Sequence, residues 1–164
     1  MAKRLSPFSF TKAVMRSFMA ESGLEPRLLG NRFRVLNASE GKVDFEVEIH
    51  KDHTNRLQTI HGGTLASLVD LGGSLAVAST GRFATGVSTD LNVTYLNPGG
   101  KAGDILKGTA TCDKIGKSLA YTTVQFYNSK GQLAARGSHT KYVRGTEGPD
   151  GLYVAPPEWT NEVD

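Results

Sequence analysis

The sequence predicts an α+β domain in which an antiparallel sheet wraps one central helix. Three observations carry that prediction. One run of helical spacing, residues 64–79, is flanked by strand-like segments on both sides. Those flanking segments alternate apolar and polar residues with period two. The last four of them follow one another through short turns, "NPGGKAG", "KIGK" and "NSKG", whose chemistry is that of hairpins. Strands in hairpin succession pair antiparallel, and a sheet with one apolar face must bury it against another element.

Taken in order, the chain opens with "MAKRLSPFSFTKAVMRSFMA", four basic residues and no acidic one. This suits a mitochondrial address. It also suits an ordinary helix over residues 11–21 that packs Val14, Phe18 and Met19 on the body, and the two are compatible. Gly23 and Pro26 are expected to end that helix. "RFRVLN" and "GKVDFEVEIHK" then alternate, with Val43, Phe45, Val47 and Ile49 on one face, and "NASEG" between them reads as a turn. "DHTNRLQTI" is polar and aperiodic, a loop. After the helix come "TGVSTDLNVTYLNP", "GDILKGTATCDKIG", "KSLAYTTVQFYNSKG" and "QLAARGSHTKYV". In the first of these, alternation places Val87, Leu91, Val93 and Tyr95 on one face and Ser88, Asp90, Asn92 and Thr94 on the other. Residues 1–22 are thus an N-terminal helix or targeting segment and 23–143 the domain. Residues 144–164 are an acidic, Pro/Gly-rich tail that crosses the surface or is disordered, with Tyr153 and Trp159 available to pin it.

Composition excludes several classes. The net charge of +3 is too mild to argue for nucleic acid, and no Lys/Arg-rich block appears. It does suit a phosphorylated small ligand. The single cysteine, Cys112, excludes an internal disulfide and favours a reducing compartment, cytoplasm or mitochondrion. No apolar run approaches the roughly 20 residues of a membrane span. The histidines (His50, His53, His61 and His139) lack zinc spacing, so no metal is expected.

Candidate chemistry gathers around the central helix. "HGG" stands at its start, where N–H groups are unsatisfied and a glycine lets a ligand approach the backbone. Gly62 N–H is therefore a candidate oxyanion donor, although a plain glycine turn fits the spacing as well. With Leu65, Leu68, Val69, Gly72, Leu75 and Ala76 facing the sheet, Asp70 falls on the opposite side with Ser67, Gly73, Ser74 and Val77. That small-residue face reads as a contact surface between subunits. A carboxylate there is either a base or nucleophile, or a surface aspartate. Asn55 and His61 can offer hydrogen bonds to a carbonyl. Ser88 can hold a water or a carboxylate, and it lacks the Gly-x-Ser-x-Gly setting of a serine hydrolase.

These residues carry a resemblance. "HTNRLQTIHGGTLASLVD", "GVSTDLNVTYLNP", "GKSLAYTTVQFYN" and "GSHTKYV" resemble the hotdog-fold acyl-CoA thioesterases, the phenylacetyl-CoA thioesterases among them, from about Phe10 to Val143. The resemblance implies a curved sheet around one long helix, and dimers paired into a homotetramer with active sites between subunits. It implies that Gly62 and Asn55 polarise a thioester carbonyl, that His61 orients or polarises, and that Asp70 of a neighbouring subunit with Ser88 activates water. Asp90, Tyr95, Lys114, Lys117, Ser118 and His139 match coenzyme A contacts, Lys114 one insertion out of register. Coenzyme A enters as part of the acyl-CoA substrate, and no separate cofactor is implied. The alternatives are a non-catalytic acyl-CoA-binding scaffold and, more remotely, a dehydratase or hydratase of the same fold.

Overall fold

A computed structural model describes residues 2–161. Met1 and the last three positions of the expected tail, 162–164, lie outside the described residues. Helix α1 (Pro7–Glu21) starts earlier than the spacing suggests because Ser6 caps it, its hydroxyl accepting from Ser9 N–H at 3.2 Å, and Pro7 takes the first turn. Its inner face buries Phe10, Ala13 and Val14. Gly23 does break the helix. Pro26 does not end anything: it sits in the first turn of a second short helix, α2 (Leu24–Leu29), where a missing N–H costs nothing.

The six strands are β1 (Phe33–Ser39), β2 (Lys42–Glu48), β3 (Val87–Tyr95), β4 (Ile105–Ile115), β5 (Leu119–Tyr127) and β6 (Leu133–Tyr142). All neighbours are antiparallel, in the order β1-β2-β4-β5-β6-β3. The sheet is not closed. Strand β3 is one free edge, and residues as large as Val87 and Tyr95 are 65% and 53% exposed on it.

Helix α3 (Gly62–Ala78) lies in the concave face. Leu65, Leu68, Val69, Leu75 and Ala76 are buried as the spacing predicts, in one core with Phe45, Val47, Leu106, Val124 and Phe126. Gly72 is needed for this approach: a Cβ there would lie 3.1 Å from a Val124 methyl. The opposite side of the helix differs from expectation. Gly73, Ser74 and Val77 are buried against this chain's own β5 and β6, because the sheet curves around the helix. Only a narrow strip stays accessible, running through Gly63, Ala66 and Ser67 to Asp70.

Residues 144–161 of the tail run across the surface and are held at Tyr153 and Trp159. Tyr153 is buried, donates its hydroxyl to Ser79 O at 2.8 Å and packs edge-on against Phe10. Arg16 donates to Trp159 O at 2.8 Å. Among the described residues, no helix is long and apolar enough to cross a membrane.

Candidate active site

The start of α3 is built by its preceding loop. His61 caps the helix, its Nδ1 accepting from Gly63 N–H at 2.7 Å. An accepting Nδ1 is unprotonated, so the ring's proton sits on Nε2. His53, fully buried, ties the loop down: its carbonyl accepts from His61 N–H at 2.8 Å and from the Thr64 hydroxyl at 3.0 Å, and its Nε2 meets Leu28 O in α2 at 2.5 Å. The cap uses the Gly63 donor and leaves that of Gly62 with no partner among the described residues. The Tyr95 hydroxyl donates to Gly62 O at 2.7 Å, and its ring lies 3.2 Å from where a Gly62 Cβ would be.

Asn55 is held in the same loop by its acceptor atom. Oδ1 takes hydrogen bonds from Leu57 N–H at 2.9 Å and from the backbone and hydroxyl of Thr59, both at 3.3 Å. This turns the Nδ2 donors away from the loop. Asn55 and Gly62 line one open cleft of about 410 Å³ with Leu65, Tyr95, Pro98 and Gly99. The cleft is thus lined by two residues that carry N–H donors, the Gly62 backbone and the Asn55 amide.

Asp70 belongs to a second cluster. Its Oδ2 accepts from the Ser88 hydroxyl at 3.2 Å and lies 3.7 Å from His139 Nε2. Ser88 Oγ is 2.7 Å from the same Nε2. Simple alternation would send Ser88 to the outer face with Asp90, Asn92 and Thr94. A bulge at Thr89 breaks the register between Ser88 and Asp90. It moves Ser88 to the helix side, with Leu91, Val93 and Tyr95, and so aims the hydroxyl at Asp70. The bulge reverses both residues before it: Val87, expected on the inner face with Leu91, turns outward and is 65% exposed, while Asp90, Asn92 and Thr94 remain outside as expected.

His139 stands on the inward face of β6 and has no exposed surface. The resemblance places it among coenzyme A contacts. In this chain its ring meets Ser88 and Asp70 instead, and it is too buried to offer a surface to a coenzyme. Burial holds its pKa below the usual histidine value, Lys141 adds to that effect, and Asp70 opposes it. Gly73 makes room for the ring: a Cβ there would fall 2.6 Å from His139 Nδ1. The Asp70 side chain is 48% exposed and opens on an apolar pocket of about 260 Å³, lined by Leu24, Leu28, Leu29, Leu68, Leu71 and Leu91.

The remaining expected residues do not converge on one point. Tyr95 belongs to the Gly62 cleft. Asp90 is exposed on the outer face of β3. Lys114, Lys117 and Ser118 lie at the β4–β5 hairpin, near the end of α3 that packs Val77 on Ala120 and Val143. Two participants escaped the sequence reading. One is α2, which walls the pocket. The other is Lys141, whose burial beside His139 was signalled only by alternation along Ala135, Gly137, His139 and Lys141.

Gly62 and Asp70 are eight residues apart on one helix, about 12 Å along its axis. Known proteins show the same architecture. The thioesterase superfamily pattern matches residues 57–135. Human acyl-coenzyme A thioesterase 13 is 42% identical over 118 residues, covering 71% of this chain and 83% of that protein. The zebrafish thioesterase superfamily member 2 structure has a TM-score of 0.75 and 39% identity, covering 84% of this chain and 98% of that one. A Streptococcus mutans structure bound to acetyl CoA has a TM-score of 0.63 and 26% identity, covering 69% and 89%. The chain belongs to the thioesterase superfamily: it is a hotdog-fold thioester hydrolase.

Proposed function

We propose that this protein hydrolyses acyl-CoA to free acid and coenzyme A, at sites each assembled from two copies of the chain. The observation that carries this reading is the division of the chemistry into two half-sites at opposite ends of one exposed edge strand. Asn55 and Gly62 lie by Tyr95, near one end of β3, and Asp70 lies by Ser88, near the other. Two β3 strands paired antiparallel about Asn92 would set the Ser88 end of one against the Tyr95 end of its partner. Such pairing would also cover a long bare edge. The further pairing of dimers into a tetramer belongs to the same proposal.

In the assembled site the thioester oxygen takes hydrogen bonds from Gly62 N–H and Asn55 Nδ2. Asp70 of the other subunit removes a proton from water as the water oxygen attacks the carbonyl carbon. The negative charge moves onto the carbonyl oxygen, where the two donors hold it. It then collapses, the C–S bond breaks, and the thiolate leaves. Ser88 fixes one carboxylate oxygen and leaves the other for water. His61 acts through the backbone, by setting the helix start. The S. mutans relative's acetyl CoA supports coenzyme A as the carrier, and we assign Lys114, Lys117 and Ser118 to its polar groups, with Tyr95 and Asp90 nearer the β3 edge.

The leucine-lined pocket beside Asp70 is assigned to the acyl chain, which favours medium to long or aryl acyl groups. Burying each methylene contributes about 0.8 kcal/mol, or roughly fourfold in kcat/KM. Free-thiol release from an acyl-CoA series is therefore expected to rise from acetyl and level off once the pocket is full. Tight acyl-CoA binding without thiol release would instead mark a scaffold. A flat series would remove the acyl assignment of the pocket.

A further inference from the structure

We propose that Lys141 is a positioning residue: a buried, fixed cation that holds His139 as a neutral hydrogen-bond donor and so keeps the Ser88 hydroxyl turned toward Asp70. The proposal rests on the reading of Asp70 as the reacting carboxylate. Lys141 lies two residues from His139 on the inward face of β6 and opposite Ser88 in the β3–β6 register. It is only 3% exposed. Its ammonium donates to the Ser74 hydroxyl of α3 at 2.6 Å, the one hydrogen bond it makes among the described residues.

A buried ammonium with a single neutral partner works against the fold. The position pairs with Ala120 across β5 and with Ser88 across β3, and a methionine would fill it without the cost of burying a charge. Stability therefore does not account for a lysine here, and its charge must act on its neighbours. The ionisable groups around it are Asp70 from α3 and His139 on its own strand. Around His139, β3 and β5 supply the neutral hydroxyls of Ser88 and Thr122.

The hydrogen-bond directions then follow. His139 Nδ1 is buried with no partner, so a proton there would be an unsatisfied donor. A neutral ring carries its only proton on Nε2, which faces Ser88 Oγ at 2.7 Å. Ser88 oxygen accepts from it, and the single hydroxyl proton is left for Asp70 Oδ2. The Lys141 charge disfavours a second proton on His139, as burial does. Burial lowers the pKa of Lys141 itself, and Asp70 acts to keep it charged.

The test compares wild type, Lys141→Met and Ser74→Ala by NMR of labelled histidine, by kcat and KM, and by thermal melting. The His139 signals are assigned by their loss in His139→Gln. In wild type His139 is expected neutral with its proton on Nε2 from mildly acidic to neutral pH. In Lys141→Met it should protonate at higher pH, since the charge that opposes protonation alongside burial is gone. The methionine variant should lose about tenfold in kcat, the scale of one misdirected hydrogen bond. Its KM should hold within about twofold, with a melting temperature equal to wild type or higher. Ser74→Ala keeps the charge but frees the ammonium, so a smaller loss of about threefold is expected. Unchanged His139 titration, or unchanged kcat, overturns the proposal. So does a Lys141→Met protein that melts lower or does not fold, because that makes the lysine structural. A wild type inactive on every thioester would defeat the reading of Asp70, while the NMR comparison would still decide whether Lys141 sets the state of His139.

Discussion

Asp70→Asn should lose about 10² to 10⁴ in kcat while folding and assembly stay intact, by the usual contribution of a positioned base. The substitution keeps the shape of the side chain and an oxygen able to accept from Ser88. It removes the charge and the basicity and puts an NH2 donor in place of the other carboxylate oxygen. The carboxylate is 48% exposed, and its hydrogen-bond partner Ser88 keeps an acceptor in the variant. Thiol release and thermal melting on the same sample check this: a large fall in the first and little change in the second. Near-normal turnover by Asp70→Asn would take the carboxylate out of the mechanism and leave its cluster with Ser88 and His139 without a role.

Asn55→Asp should cost about 10² to 10³ in kcat, the loss typical of removing one oxyanion donor. Alanine would be a poorer probe, because Oδ1 also holds the turn through Leu57 and Thr59. Aspartate keeps that acceptor and deletes the two N–H donors. It also places a negative charge where negative charge must develop on the substrate. The fall should therefore appear in kcat with the loop still formed, as judged by an unchanged melting temperature. An active Asn55→Asp enzyme would place the carbonyl elsewhere than the Gly62 cleft.

Sequence reasoning reached the helix, the strands and the two ends of the site by different routes. Val43, Phe45 and Val47 on β2 and the stripe of α3 follow from periodicity, because each faces one core. Gly62 was identifiable because a helix must start somewhere, and a cap at His61 leaves one donor unused. Ser88 is different. Its direction depends on one unpaired residue, Thr89, and a bulge is an event of pairing that alternation along a single strand does not reveal. Helix α2 was missed since six residues are too few to show a period, and Pro26 reads as a stop until its first-turn position is known. The burial of Gly73, Ser74 and Lys141 depends on how far the sheet curls around the helix, a property of six strands together. The lone carboxylate of Asp70 consequently has two basic neighbours, His139 and Lys141, drawn from a strand about 70 residues away.

The central claim is that each site draws its carbonyl donors from one chain and its carboxylate from another. Two inactive chains, one Asp70→Asn and the other Asn55→Asp, can be co-expressed with different tags and their hybrid purified through both. In a two-fold dimer one site of the hybrid regains native Asn55, Gly62 and Asp70, and the other carries both changes. The account predicts about half the wild-type specific activity from that hybrid, as expected for one intact site of two. A hybrid no more active than its parents would contradict the shared site.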